Sequence, residues 1–183
     1  VKLDEKSTVA TVALAVGSTL LERGLRAVLT GGACVSLYTK SVYHSKDVDF
    51  ILPASVRREE LDAAMAAVGF SRRGDRYEHP RTVLYVEFPP GPLSIGDDVA
   101  IRAVEVRRSG LRVLALSATD CCRDRLAAFY HWNDRQSLRA AVLVALGNRI
   151  RTAAIREWSR SEGASSRFEE FQAELRRARH PSP

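Results

Sequence analysis

A chain of 183 residues with 45% hydrophobic and 27% charged side chains is long enough to bury a proper core as one domain, and its composition is that of an ordinary globular protein. No apolar run reaches the roughly 18 residues that a membrane-spanning helix needs, so no membrane is expected among its partners. A formal charge of +6 permits an anionic partner such as a nucleotide or RNA without requiring one, because the basic residues are scattered, mostly Arg, and form no tract.

Residues 1–6 lack the charged-then-apolar layout of a signal peptide, and Val rather than Met at position 1 fits a trimmed start. The three cysteines include the adjacent pair Cys121-Cys122 and offer neither a disulfide framework nor zinc-ligand spacing. A reducing cytoplasm is the expected setting.

The apolar period predicts a helix over 4–23, with Gly24 as its stop. Residues 26–30 read as a buried strand that Gly31-Gly32 breaks, 33–38 as a short helix, and 47–52 as a second strand closed by Pro53. An amphipathic helix is expected over 56–68, with Leu61, Ala64, Met65 and Val68 on one side. Residues 70–79 read as a hairpin or edge strand. Over 82–88 the alternation puts Val83, Tyr85 and Glu87 on one face of a strand and Leu84, Val86 and Phe88 on the other. Pro89-Pro90-Gly91-Pro92 forces a turn, and 99–106 and 111–116 are two more expected strands. From Asp120 the period becomes helical: one helix carries Leu126, Ala127, Phe129 and Tyr130, and a second runs from 136 to 146 or on to Trp158. Residues 163–166 form a linker and 168–179 a last charged helix before a frayed tail. The expected fold class is α+β, a mixed sheet flanked by helices. Residues 1–116 would form an α/β core with an N-terminal helix, and 117–183 a helical region packed on it.

Two short stretches carry chemistry. Asp47 and Asp49 lie two apart on a predicted strand, so the pleat points both carboxylates to one face. Two unpaired carboxylates that close repel each other, and a divalent cation relieves the repulsion. Mg²⁺ suits them, being held typically by one or two carboxylates plus phosphates and water. Gly31 and Gly32 can adopt positive φ and leave no Cβ in the way. Backbone N–H groups there, and at the start of the next helix, can receive a phosphate. Alone, the glycines are more often just a turn and the aspartates a solvated strand end; in this order and spacing they are far more specific.

Gly31-Gly32, about fifteen residues, then Asp47-Val48-Asp49 resembles the signature of the nucleotidyltransferase superfamily typified by DNA polymerase β. The fuller strings, Leu29 to Tyr38 and Ser45-Lys46-Asp47-Val48-Asp49-Phe50, are similar to small bacterial members, among them toxin-like nucleotidyltransferases of the AbiE type and their mycobacterial relatives. The resemblance covers 26–90 by motif and 117–146 more loosely. It implies a polymerase-β-like nucleotidyltransferase fold and transfer of a nucleoside monophosphate from an NTP. Mg²⁺, or alternatively Mn²⁺, would bridge the carboxylates and the nucleotide phosphates. The acceptor would be a hydroxyl of an RNA (tRNA in the sharpest form), a protein or a small molecule. An antitoxin protein would be a partner if the chain is the toxin of a toxin–antitoxin pair.

The resemblance also assigns residues. A third carboxylate is expected on a later strand. Glu87 is the best position, with a longer arm than the usual aspartate, and Asp97, Asp98 and Glu105 compete. The superfamily often has Ser at the second glycine position, so Gly32 loses a hydroxyl contact to phosphate. Ser45 is either a phosphate contact or a strand-start hydroxyl serving local backbone. Arg125 stands where toxin-like relatives usually have a triphosphate-binding Lys, and Asp134 where a later Asp completes the pocket. Nine residues along one helix put these two on opposite sides. They share a site only if the helix breaks near Trp132-Asn133. Asp134 is equally a helix N-cap, and Arg125 equally a salt-bridge partner of Asp124 or Asp134.

Other residues have blander readings. Lys46 points away from both aspartates; His44 and His131 read as loop or surface histidines. Trp132 reads as packing at a helix junction, with base stacking the sharper alternative, and Cys121-Cys122 as structural. Arg72, Arg73, Arg76 and Arg81 flank the sheet edge, where they could steer an RNA acceptor. A different class of function is a non-catalytic nucleotide- or partner-binding module that keeps the fold, motivated by Gly32, Glu87 and the missing Lys. An antibiotic-modifying adenylyltransferase would share the chemistry, though no drug pocket is legible.

Overall fold

The structure, a computed structural model, describes residues 2–40, 43 and 45–180. His44 and the tail at 181–183 lie outside the described residues. The first helix, α1 (Val9–Glu22), starts later than its apolar period suggests. The Asp4 amide donates to the Ser7 hydroxyl at 2.9 Å and closes a turn. Thr8 then caps the helix by accepting the Thr11 amide at 3.2 Å.

The short strand β1 (Val28–Leu29) leads into α2 (Gly31–Tyr38), with Thr30 as its N-cap. The glycine pair therefore forms the first turn of the helix, not a break ahead of it. There follow β2 (Asp47–Ile51), α3 (Arg58–Ala67), a hairpin of β3 (Ser71–Arg73) and β4 (Arg76–Glu78), and β5 (Tyr85–Glu87). Strand β6 (Val104–Arg108) begins several residues later than expected and pairs with β7 (Leu111–Ala115). Ahead of it the chain is pinned instead by Asp98, which accepts the Ala100 amide at 2.8 Å and pairs with Arg123 at 2.5 Å.

Four helices complete the chain: α4 (Ala118–Trp132), α5 (Arg135–Gly147), α6 (Thr152–Ser161) and α7 (Ser165–Arg179). The segment expected to run on to Trp158 is two helices. Asn148 is extended, and its side-chain amide donates to the carbonyls of Val144 at 2.9 Å and Tyr38 at 3.2 Å. That satisfies acceptors the ending helix leaves open and ties it to α2.

The seven strands form one mixed sheet in the order β3-β4-β5-β2-β1-β7-β6. Only β1/β7 and β2/β5 are parallel. Register gives the sheet two unlike faces. Val48, Val86 and Tyr77 line up across β2, β5 and β4 and are buried. Asp47, Asp49, Tyr85 and Glu87 lie on the other face. A continuous cluster of buried side chains runs from Leu3 to Leu175. Helix α1 packs on β7 and β2, while α4 and α5 both lean on α2, so the later helices brace the element that carries the glycines.

Helix α1 reaches the sheet at Gly17, where an added Cβ would sit 2.8 Å from Val113 Cβ and 3.2 Å from its Cα. Alanine would gain about 0.5–1 kcal/mol of helix propensity but would force α1 off β7, an overpacking cost of about 1–3 kcal/mol. The second effect is the larger, so Gly17→Ala lowers the urea midpoint. An unchanged or raised midpoint would show that the α1–β7 contact yields more easily than this packing implies.

Candidate active site

Parallel pairing sets Asp49 beside Glu87 and Asp47 beside Tyr85. One oxygen of each of Asp47, Asp49 and Glu87 lies within 4.8 Å of the other two. Among the described residues no other cluster of three or more His, Cys, Asp or Glu has metal-binding geometry. The competing acids are engaged elsewhere. Asp98 pairs with Arg123, and Glu105 with Arg107 at 2.5 Å and Arg112 at 3.9 Å. Lys46 is exposed.

The cluster is electrostatically frustrated. Burial, then the charges of Asp47 and Glu87, push the Asp49 carboxyl from its ordinary 3.8 up to about 6; Arg125 partly opposes them. Tyr85 feels the same field: burial first, then Asp47 and Glu87, raise its phenol. Such a donor set fits a hard divalent cation, since oxygen ligands and excess negative charge are what Mg²⁺ or Mn²⁺ require.

Helix α2 supplies the neighbouring half. Gly31 has φ +62°, and an added Cβ would lie 2.6 Å from Asp49 Oδ2. Glycine is thus required twice, for the left-handed backbone and for the approach of the carboxylate. Thr30 makes no side-chain cap. Its hydroxyl faces the Asp49 carbonyl at 3.5 Å, and its amide donates to the same oxygen at 2.9 Å. Among the described residues the first-turn amides of α2 therefore have no side-chain acceptor, which is the arrangement that receives an anion.

Gly32 bears on Ser45. An added Cβ at Gly32 would lie 2.8 Å from Ser45 Oγ, so a serine there has no room, and a hydroxyl already stands beside that position. Ser45 Oγ donates to Asp47 Oδ1, a side-chain partner rather than the local backbone.

The helix breaks between Arg125 and Asp134, at the junction the sequence marks, but each residue takes its hydrogen bonds locally. Asn133 ends α4 in the left-handed conformation, φ 54°. Asp134 then caps α5, accepting the amides of Gln136 at 2.9 Å and Ser137 at 3.2 Å and the Ser137 hydroxyl at 2.7 Å. Those bonds, led by the Ser137 hydroxyl, hold its carboxyl below the usual range, and Arg125 adds to the effect. The Arg125 guanidinium donates to Asp124 Oδ2 through Nε at 2.9 Å and Nη2 at 2.7 Å. Burial opposes its charge, but the Asp124 carboxylate more than offsets that and keeps it protonated. The Arg125 charge lowers the carboxyls of both Asp49 and Asp134, though its hydrogen-bond partner is Asp124.

Two residues differ from their expected surroundings or were not anticipated. Trp132 is 77% exposed and so is not packing at the junction. Tyr85 sits on the carboxylate face with the Arg76 guanidinium 4.7 Å from its ring centre. The alternation of 82–88 already put it beside Glu87, but only strand pairing brings it opposite Asp47. His131 is on the surface, 3.3 Å from Glu162, and Cys121 and Cys122 are buried.

In metal-free protein the frustration has a sign. Below about pH 4 Asp49 is protonated whether folded or unfolded. Between about 4 and 6 the folded chain keeps a proton that the unfolded chain releases, and above 6 the folded state bears the full repulsion. The displacement corresponds to about 3 kcal/mol, reduced to about 1–2 kcal/mol by solvent screening of a half-buried group. In EDTA, Asp49→Asn is expected to melt higher than wild type at pH 7.5, with the gap closing toward pH 4. Added Mg²⁺ is expected to raise the Tm of wild type only. Parallel melting curves across this range would contradict the assigned repulsion.

No protein-family model matches the chain, and no curated protein is significantly similar to it in sequence. Solved structures are. A nucleotidyltransferase-like antigen from Paracoccidioides brasiliensis superposes with a TM-score of 0.58 at 18% identity, over 77% of each chain. The antibiotic-resistance factor ANT(2'')-Ia in solution superposes with a TM-score of 0.52 at 18% identity, over 94% of this chain and 97% of that one. The same factor in complex with adenylyl-2''-tobramycin also gives 0.52 at 18% identity, over 91% and 96%. The mixed seven-stranded sheet with its helices is thus the nucleotidyltransferase fold.

Proposed function

We propose that this chain is a Mg²⁺-dependent nucleotidyltransferase that moves a nucleoside monophosphate from an NTP to a hydroxyl acceptor. The observation that carries the reading is the convergence of Asp47, Asp49 and Glu87 within 4.8 Å. The uncapped start of α2 beside Asp49 reinforces it. Residues 1–116 would supply the metal and phosphate contacts and 117–183 the helices that close the nucleotide site. The cation held by the three carboxylates would supply charge neutralisation at the phosphates and polarise the acceptor oxygen. The first-turn amides of α2 receive a phosphate, Ser45 orients Asp47, and Arg125 faces the departing phosphates. A new bond forms between the acceptor oxygen and the α-phosphorus, the bond from that phosphorus to pyrophosphate breaks, and Glu87 takes the hydroxyl proton.

For the acceptor we favour RNA. Beside Glu87 lies an open cavity of about 550 Å³ whose lining includes Arg57, Arg58, Arg72, Tyr77 and Phe88. The adjoining hairpin adds exposed Arg73 and Arg76. Arginines interleaved with aromatics suit phosphates and bases, although Arg57, Arg72 and Arg76 already pair with Glu60, Asp62 and Glu78. A tRNA-modifying toxin held by an antitoxin is the sharpest form, resting on the motif resemblance. A second reading, a small-molecule acceptor, is favoured by the likeness to ANT(2'')-Ia over most of both chains. A non-catalytic binding module is disfavoured by the intact carboxylate cluster.

The test incubates the protein with Mg²⁺, each labelled NTP, and either total RNA or a panel of aminoglycosides. Label is expected in RNA, with Asp49→Asn reducing the rate by about a hundredfold or more. Equal labelling by both proteins would sink the catalytic assignment, and label in the aminoglycosides alone would select the second acceptor. Arg125→Ala is expected to raise KM for the NTP about tenfold, because a charged hydrogen bond to phosphate is lost.

A further inference from the structure

An indole left 77% exposed lacks the burial that ordinarily accounts for a tryptophan at a helix end. Its position is specific. Trp132 is the last residue of α4, seven after Arg125. Seven residues turn about 20° short of two full revolutions and advance about 10 Å, so both residues lie on one stripe of the helix. Between them on that stripe is Ala128, small and half-buried. The stripe runs along the helix that packs on α2, whose first residue, Gly31, meets Asp49, and it ends in an open aromatic face.

The helix end is fixed. Arg167 donates to the Phe129 carbonyl at 3.0 Å and to Asn133 Oδ1 at 2.9 Å. His131 meets the Trp132 ring edge-on, centroids 6.1 Å apart, and is itself held 3.3 Å from Glu162. The geometry points to Trp132 as the platform on which the base of the bound NTP stacks. Arg125 takes the phosphates, Ala128 leaves room for the sugar, and the indole takes the π-face of the base. This rests on the nucleotidyl-transfer reading and adds to it the base subsite. Every base has a π-face, so this contact tolerates all four.

The test compares affinities by calorimetry for two probes in Mg²⁺: α,β-methylene NTPs, which carry a base, and inorganic tripolyphosphate, which does not. Trp132→Ala is expected to weaken the best-bound nucleotide roughly tenfold and to leave tripolyphosphate affinity unchanged. Trp132→Phe is expected to restore most of the loss. Wild-type tryptophan emission is expected to fall with nucleotide but not with tripolyphosphate, because the only other indole, Trp158, is 6% exposed. Unchanged nucleotide affinity in Trp132→Ala would overturn the proposal, including the case where only KM for an RNA acceptor rises. Equal loss of both probes would overturn it too, since stacking cannot act on a ligand without a base. A wild type that binds neither probe would instead remove the nucleotidyl-transfer reading, and this subsite with it.

Discussion

Parallel pairing of β2 with β5 forces Asp49 alongside Glu87, and Asp47 joins them from two residues earlier on its own strand. Three like charges so close cost free energy that a metal-free fold must bear. The surroundings read as answers to that strain. Ser45 donates to Asp47, the start of α2 meets Asp49 at Gly31, and the Arg125 charge lowers Asp49. None of these neutralises the cluster, and Asp49 still holds its proton up to about pH 6. A fold that retains such strain is poised to gain from binding a cation.

The second constraint is the turn at Asn133. A left-handed residue at the end of α4 lets Asp134 cap α5 with its whole carboxylate committed to the backbone and to Ser137. The cap and the pocket are one feature. Arg125 lies within electrostatic reach of both Asp49 and Asp134 because the helix stops there. Asp124 keeps that guanidinium charged despite burial, and an incoming phosphate would compete for the same donors. The same helix end holds Trp132 out in solvent.

Charge is divided across the sheet's open face. Acidic groups concentrate at β2 and β5, and the register of the edge hairpin sets Arg76 beside Glu87 and Arg73 beside Arg76 on that same face.

Period and spacing carried the local facts in this chain. The alternation in 82–88 put Tyr85 and Glu87 on one face, Asp-x-Asp put Asp47 and Asp49 on one face, and the glycine pair marked a place where no Cβ fits. Each depends only on neighbours along the chain, so each was legible without coordinates. The later helices were legible as helices but not in their ends, because Asn148 and Asn133 stop them through side-chain and backbone geometry that periodicity does not register. The reach from β2 across to Glu87 and the hydroxyl of Ser45 standing beside Gly32 are contacts between residues apart in sequence. Strand pairing and helix packing decide those contacts. The sequence determined which groups this protein has to offer; only the tertiary structure decided that they meet.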